Sequence, residues 1–258
     1  MKIHQETIPE IDRYLRNFGD EDLDGPEKTL QFENYLKMVR PFVDLTPQTR
    51  MLEIGTGTGW FPVQCARKGL RCKGLEISPQ LIEHSEKLAE RYGVQVDIEL
   101  GNAEENDIGE NAYDAIIASS VFEHVEHWRL GLARVYKALK PGGVFFFSST
   151  SKFSFTSGEY GFPLYGWLPD QWRYKLRIAR QGPEIMKLGI DFNQFRYPVL
   201  RKEFRKLGYS KILDRVDRLV ISDLSPLKRA LLGICKAIPP FKALILTFSE
   251  ATVFVCIK

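Results

Sequence analysis

Residues 51–59 read Met-Leu-Glu-Ile-Gly-Thr-Gly-Thr-Gly, and a nucleotide is the ligand such a stretch can hold. The apolar start (Met51, Leu52, Ile54) suits a buried strand. Glycines at every second position (Gly55, Gly57, Gly59) then let the backbone turn tightly and approach a ligand with no Cβ in the way. Glu53 falls inside the strand end, where a carboxylate is costly unless it meets a donor or a cation. Glu76 stands 21 positions after Gly55, at the end of the next strand-like run. An acid there is placed to accept hydrogen bonds from both hydroxyls of an adenosine ribose; the plainer alternative is a solvated strand-end carboxylate. A dinucleotide fingerprint, Gly-x-Gly-x-x-Gly/Ala, needs a small third residue to pack helix on strand. Trp60 occupies that position, which counts against a nicotinamide-dependent dehydrogenase.

Only a parallel sheet brings such loops together, and the chain is patterned for one. Strand-like runs at 51–55, 71–77, 95–100, 113–119 and 143–149 are mostly separated by helical ones. Ser78 can cap the helix 78–93, Pro79 suits its first position and Gly93 stops it. The helical run 129–139 ends at Lys140-Pro141-Gly142-Gly143, a strong break before the next strand. This alternation implies an α/β sheet covered on both faces, with ligands at the carboxyl ends of the strands.

The flanks differ from this core. Residues 1–47 read as helices, with an acidic loop at 20–24 followed by Gly25-Pro26. Residues 151–195 interrupt the alternation with many aromatic residues, among them Phe153, Phe155, Tyr160, Trp167, Trp172 and Phe192. A helix at about 199–207, a strand at 209–214 and a second interruption at 224–248 precede a closing strand at 251–257. The expected organisation is one domain over 1–258: an N-terminal helical cap (1–47), a core (48–150), an aromatic insertion (151–195) and C-terminal helix and strands (196–258) carrying the insertion 224–248.

Composition sets the outer bounds. With 258 residues, 44% hydrophobic and 27% charged, the chain fits one soluble globular domain with insertions. A net charge of +3 is too small to argue for nucleic acid, and none is expected as a partner. Cys65, Cys72, Cys235 and Cys256 form no CxxC pair, which favours a reducing cytoplasm over a disulfide framework. The first residues lack the apolar stretch of a signal peptide, and no run reaches transmembrane length.

Several loop sequences together carry a family resemblance. Glu-x-Gly-x-Gly-x-Gly at 53–59 resembles motif I of the class I S-adenosylmethionine (SAM) dependent methyltransferases. Gly101-Asn102-Ala103-Glu104 is similar to that family's Gly-Asp-Ala step. Ser119-Ser120-Val121-Phe122-Glu123-His124-Val125 resembles the motif after strand four in ubiquinone-pathway O-methyltransferases and their small-molecule relatives. Leu139-Lys140-Pro141-Gly142-Gly143 extends the likeness over residues 50–150. The resemblance implies a Rossmann-like, seven-stranded, mostly parallel sheet with helices on both faces and a closing antiparallel strand. It implies SAM as cofactor, S-adenosylhomocysteine as product, and cofactor contacts from Glu53, Gly55, Thr56, Gly57, Gly59, Glu76, Ile77, Asn102, Ala103, Glu104 and Ser119. Asn102 stands where many members have Asp; its acceptor and donor can still meet adenine N6, with a backbone N–H from Ala103, and a plain turn is the alternative. Ile77 packs on adenine or belongs to the core.

Within that family, transfer is an in-line displacement on a methyl already activated by a sulfonium. The protein positions the reactants and, when needed, removes the nucleophile's proton. His124 is the candidate base for a phenol or enol, against a structural role bonding a loop carbonyl. Glu123 would orient His124 or close the pocket; neighbours on a helix diverge by roughly 100°, so both can act only from a loop or a helix start. His4, His84 and His127 read as solvated. Quinone-pathway members resemble one another in a Glu-x-x-Glu-His metal cluster whose first position is Ser120 here, which leaves too few ligands, and no metal is expected. The absence of Asn/Asp-Pro-Pro-Tyr/Phe after strand four puts O-methylation ahead of amide or base-amino methylation. An N- or C-methyltransferase and a non-catalytic SAM-binding partner remain as alternatives.

The expected acceptor is a small or lipid-linked molecule. The aromatic insertion reads either as a lid that buries the acceptor and excludes water or as a cap packed on the sheet. Arg173, Lys175, Arg177 and Arg180 suit an anionic acceptor or form a solvated helix face. Residues 224–248 carry Lys228, Arg229, Lys236 and Lys242 and no acid. Such a stretch can lie on an anionic membrane, giving a cytoplasmic protein peripheral to the inner face, or form a buried helix pair broken at Pro239-Pro240.

Overall fold

The computed structural model describes residues 22–155, 163–183, 193–218 and 225–258, with isolated positions at Ile11, Leu15 and Gly19. Seven strands form one sheet: β1 (Arg50–Ile54), β2 (Arg71–Glu76), β3 (Asp97–Leu100), β4 (Tyr113–Ser119), β5 (Leu139–Thr150), β6 (Lys211–Asp214) and β7 (Ala251–Ile257), in the order β3-β2-β1-β4-β5-β7-β6. The first five run parallel, and β7 inserts antiparallel between β5 and β6. The sheet is therefore the mostly parallel, seven-stranded α/β sheet expected, antiparallel closure included. The strand order reverses between β1 and β4, which opens a crevice at the carboxyl ends of those two strands.

Helices cover both faces. On one side, α1 (Pro26–Val39), α2 (Trp60–Arg67) and α3 (Pro79–Arg91) pack Leu36, Phe61 and Leu88 with Met51, Ala115, Ile117 and Phe146 of the sheet. On the other, α4 (Trp128–Ala138) and α6 (Tyr197–Leu207) bring Leu132, Val135, Leu200 and Phe204 against Ile116, Phe145 and Phe147. Consecutive phenylalanines of β5 thus serve opposite cores, as the two-residue strand period requires. β4 is buried along nearly its whole length, as befits a central parallel strand covered twice. Ser78 caps α3 by accepting the Leu81 N–H at 3.4 Å, with Pro79 at the first helical position.

One local expectation changes. Lys140-Pro141-Gly142-Gly143 is not a break before a strand but lies within one: α4 stops at Ala138 and β5 starts at Leu139. Tyr113 pairs with Leu139 while Ala115 pairs with Val144, so the proline and glycines bulge out of a continuous ladder. The 224–248 stretch forms α7 (Pro226–Ala237) and α8 (Pro239–Thr247), parted at Pro239 because proline cannot continue the preceding helix. Lys242 of α8 is an anchor and not a lipid-facing cation; its Nζ lies 2.7 Å from Asp214 and 2.6 Å from Asp217. Leu227, Ile234, Ile238 and Leu244 are exposed on these helices. Among the described residues no helix is long and apolar enough to cross a membrane. All four cysteines are free, and Cys65, Cys235 and Cys256 are buried.

Candidate functional site

The glycine loop leaves β1 at the crevice and enters α2. Gly55, Gly57 and Gly59 all have positive φ. At two of them space is as decisive as conformation. A Cβ on Gly55 would lie 2.4 Å from Val121 Cγ2, and one on Gly59 would lie 2.3 Å from Ser85 Oγ. The loop is thus pressed between the turn after β4 and helix α3, with its amides turned toward the end of β2. There Glu76, almost fully buried, accepts the Gly57 N–H through Oε2 at 2.9 Å and the Ile77 and Ser78 N–H groups through Oε1 at 2.9 and 3.1 Å. Burial pushes the Glu76 carboxyl above the ordinary carboxylate range, and the three backbone donors pull it back. A carboxylate offers about four lone-pair sites. Three are taken, which leaves Oε2 able to accept a ligand hydroxyl at the rim of the loop. Glu53 and Thr56 are buried beneath it, and Thr56 packs against Gly74 of β2.

The turn after β3 meets the same rim, since the Gly101 N–H bonds the Glu76 carbonyl at 2.8 Å. Asn102 shapes the turn: its Oδ1 accepts the N–H groups of Glu104 and Glu105 at 2.9 and 2.7 Å. Both lone pairs of that oxygen are committed, so the expected acceptor for adenine N6 is not offered by the Asn102 side-chain carbonyl. Ala103 is buried. The Glu104 carboxylate accepts the His127 N–H at 2.6 Å and so ties this turn to the start of α4.

After β4 the chain passes through Ser120, a non-glycine residue with φ of 55°, into a short 3-10 turn, Phe122–His124. Strain of this kind is retained where surrounding packing fixes a loop; here the Ser120 N–H is held by the Ser148 carbonyl at 2.9 Å. Glu123 and His124 point differently, as their adjacency demands. Glu123 is fully buried and accepts from Ser149 Oγ at 2.8 Å, whereas His124 is partly exposed. Asn193 braces the turn, donating its N–H to the Glu123 carbonyl at 3.0 Å and its side-chain amide to the carbonyls of Phe122 and Val125. Among the described residues no group of three or more His, Cys, Asp or Glu could hold a metal ion.

Tyr35, which spacing and motif do not single out, reaches this site from α1. Its ring packs edge-on against Trp60 and Phe146 and tilted against Phe61. Its hydroxyl meets the Ser119 side chain near the Glu53 carboxylate. Burial raises the phenol, the Ser119 contact opposes this, and the Glu53 charge adds to it. Trp60, too large for a dinucleotide fold, is the residue that receives this helix.

The insertion starts at the carboxyl end of β5 and returns beside the turn, with Ser151 bridged to Phe195. Phe153, Phe155, Trp167 and Phe248 form one ring cluster. Helix α5 (Asp170–Gln181) exposes Lys175 and Arg180 but buries Arg173 and Arg177, so half of the expected solvated face is turned inward. His127 is exposed; His84 is partly buried, its ring beside Gly19. His4, Tyr160 and Phe192 lie outside the described residues.

With this geometry in place, comparison with known proteins is consistent. Residues 52–147 match the family model described as a methyltransferase domain. A ubiquinone biosynthesis O-methyltransferase of Paramagnetospirillum magneticum is 30% identical over 61% of this chain and 64% of its own length. Phosphoethanolamine N-methyltransferase 2 of Caenorhabditis elegans is 29% identical over 43% of this chain and 26% of its own length. The chain spans under two thirds of the length of these curated relatives. Solved structures share the fold: a Haemonchus contortus phosphoethanolamine N-methyltransferase 2 in complex with SAM has a TM-score of 0.61 at 18% identity, over 96% of this chain and 56% of that one. A SAM-dependent methyltransferase from Archaeoglobus fulgidus has a TM-score of 0.55 at 14% identity, over 96% of this chain and 99% of that one. Residues 52–147 thus match a methyltransferase domain, and the fold around them is one shared with structures solved with SAM bound.

Proposed function

We infer that the protein transfers the methyl group of SAM to an oxygen of a small or lipid-linked acceptor. The observation that carries this reading is the lock between Glu76 and the Gly57 amide, which leaves one carboxylate lone pair at the rim of the glycine loop. In this reading Glu76 takes a ribose hydroxyl, with Gly55, Thr56, Gly57, Gly59 and Glu53 lining the path toward the methionine end. Ile77, Ala103 and the Asn102 NH2 group border the adenine, and Glu104 holds their turn in place. Ser119, set by Tyr35, closes the far side. Bound SAM supplies an electrophilic methyl carbon.

The chain's own residues then have little covalent work. In this reading His124, partly exposed on the turn after β4, accepts the proton of the attacking hydroxyl through its imidazole. Glu123 holds that turn from inside through Ser149, so it is a positioning residue. The aromatic insertion excludes water from the acceptor. The exposed apolar residues of α7 and α8 with Arg229 and Lys236 suit peripheral contact with an anionic membrane surface, consistent with a cytoplasmic protein that meets a lipid-linked acceptor. A nitrogen acceptor is the second reading, favoured by the likeness to an enzyme named for N-methylation.

Incubating cell extract with methyl-labelled SAM and identifying the labelled product tests the proposal. An O-methyl product, with kcat reduced about 100-fold by His124→Ala at unchanged SAM affinity, is expected. An N-methyl product overturns the oxygen assignment, and SAM binding without turnover on any acceptor overturns the catalytic one.

A further inference from the structure

The turn that bears His124 is held from the returning end of the insertion. It is a single 3-10 turn, Phe122–His124, and such short pieces carry few bonds of their own. The His124 N–H meets the Val121 carbonyl at 2.9 Å, and the Val125 N–H meets the Phe122 carbonyl at 3.3 Å. Asn193, 68 positions beyond Val125 in the chain, adds three more. Its side-chain amide donates to the carbonyls of Phe122 at 3.1 Å and Val125 at 2.6 Å, and its backbone N–H donates to the Glu123 carbonyl at 3.0 Å. An asparagine amide carries two N–H donors, and both are spent on this turn.

Asn193 is itself fixed by the insertion. Two residues on, Phe195 bridges to Ser151 and its carbonyl accepts the Lys152 N–H at 2.7 Å. The Phe195 ring is buried edge-on against Trp128 and Phe147. Gln194, between the two, meets the Tyr165–Trp167 turn. Gly166 packs there so closely that a Cβ would lie 2.6 Å from Gln194 Oε1 and would also press on the Lys152 carbonyl. Trp167, next in that turn, donates its Nε1–H to the Ser154 carbonyl at 3.0 Å and joins the rings of Phe153, Phe155 and Phe248. Contacts therefore run in steps from the aromatic cluster, through Gly166 and Gln194, to Asn193 and the His124 turn.

We propose that Asn193 is a positioning residue that places His124 only when the aromatic insertion is seated, so that covering the acceptor and placing its base are one event. This rests on the reading of His124 as the base for an acceptor lodged under the insertion. The part Asn193 plays is geometric. An imidazole takes a proton only within hydrogen-bond reach of the attacking hydroxyl, and a displacement of roughly 1 Å is enough to cost a large factor in rate. Without the two amide donors the Phe122 and Val125 carbonyls lose those bonds, and the turn shifts to recover them elsewhere.

Nuclear magnetic resonance of the His124 ring, assigned with His124→Ala, and transfer from methyl-labelled SAM in cell extract test this coupling in the full chain. Asn193→Asp keeps the shape and loses both donors; Asn193→Ser keeps one. Asn193→Asp should slow transfer at saturating SAM about tenfold or more, and Asn193→Ser should fall between. The KM for SAM and the affinity for S-adenosylhomocysteine should change less than about twofold in both. Gly166→Ala, which presses on Gln194, should move the His124 ring signals in the otherwise wild-type chain and leave them unmoved in the Asn193→Asp chain. Equal movement in the two chains, movement in neither, or an undiminished transfer rate in Asn193→Asp overturns the proposal. Wild-type transfer by His124→Ala overturns instead the base assigned above, and the Gly166→Ala spectra still decide whether Asn193 links the insertion to the turn.

Discussion

Glu76 Oε2 accepts the Gly57 N–H at 2.9 Å, so the acid at the end of β2 holds the glycine loop at the end of β1. That one side chain shapes the cradle, and in the proposed function it also faces what the cradle holds. Its burial gives the pair a pH signature. The folded chain holds the Glu76 proton more tightly than the unfolded one. That stabilising contribution is complete below the ordinary carboxylate pKa and is lost as pH rises through the raised value. Glu76→Gln cannot ionise, so thermal melts between about pH 4 and pH 8 should show the variant gaining on the wild type as pH rises. A gap that moves the other way contradicts the assignment.

Gly55 is fixed by Val121. A methyl group at residue 55 would meet Val121 Cγ2 at 2.4 Å with φ at 69°. Gly55→Ala should cost about 2–4 kcal/mol, combining overpacking with left-handed strain. Val121→Ala in the same chain relieves the clash and not the strain, so a double-mutant cycle in denaturant should return about 1 kcal/mol or more of favourable coupling. Simple additivity would mean that the two loops do not touch.

Tyr35 separates packing from positioning. Tyr35→Phe keeps the rings against Trp60, Phe61 and Phe146 and removes the hydroxyl beside Ser119. Its stability should stay within about 1.5 kcal/mol of the wild type, while affinity for S-adenosylhomocysteine falls severalfold. Tyr35→Ala should cost about 3 kcal/mol or more. Unchanged affinity in Tyr35→Phe would leave the residue a packing element only.

Much of this was legible in the residues, and the exceptions share a cause. β4 and β7 have the expected bounds, because central strands are continuous apolar runs ended by polar residues. The glycine loop is legible because all three glycines take positive φ and neighbours press on two of them. Tyr35 was not, because its role depends on a contact between α1 and β4 that no local pattern encodes. Arg173 and Arg177 suggested a solvated face by composition, and tertiary packing turned them inward. The motif allows the Asn102 carbonyl to meet adenine or to shape a plain turn, and its own turn consumes it.

Asp214 supports the distal edge of the sheet. It accepts from the Tyr197 hydroxyl at 2.7 Å, pairs with Lys242 at 2.7 Å and Arg201 at 3.3 Å, and is buried. Burial and the Asp214 charge together drive the Tyr197 phenol well above its ordinary value. Asp214→Ala leaves those cations without their shared acid and should cost about 3–5 kcal/mol in chemical denaturation. Hydrogen exchange should show faster opening of α8, with S-adenosylhomocysteine affinity changed less than about twofold, since separated sites act independently. Loss of affinity in a still-folded variant would contradict that separation.

Calorimetric titration of wild type and Glu76→Ala with S-adenosylhomocysteine tests the central claim most directly. One-to-one binding by the wild type and a loss of about tenfold or more in the variant are predicted. No binding by the wild type, or equal affinity in the two proteins, would contradict the account.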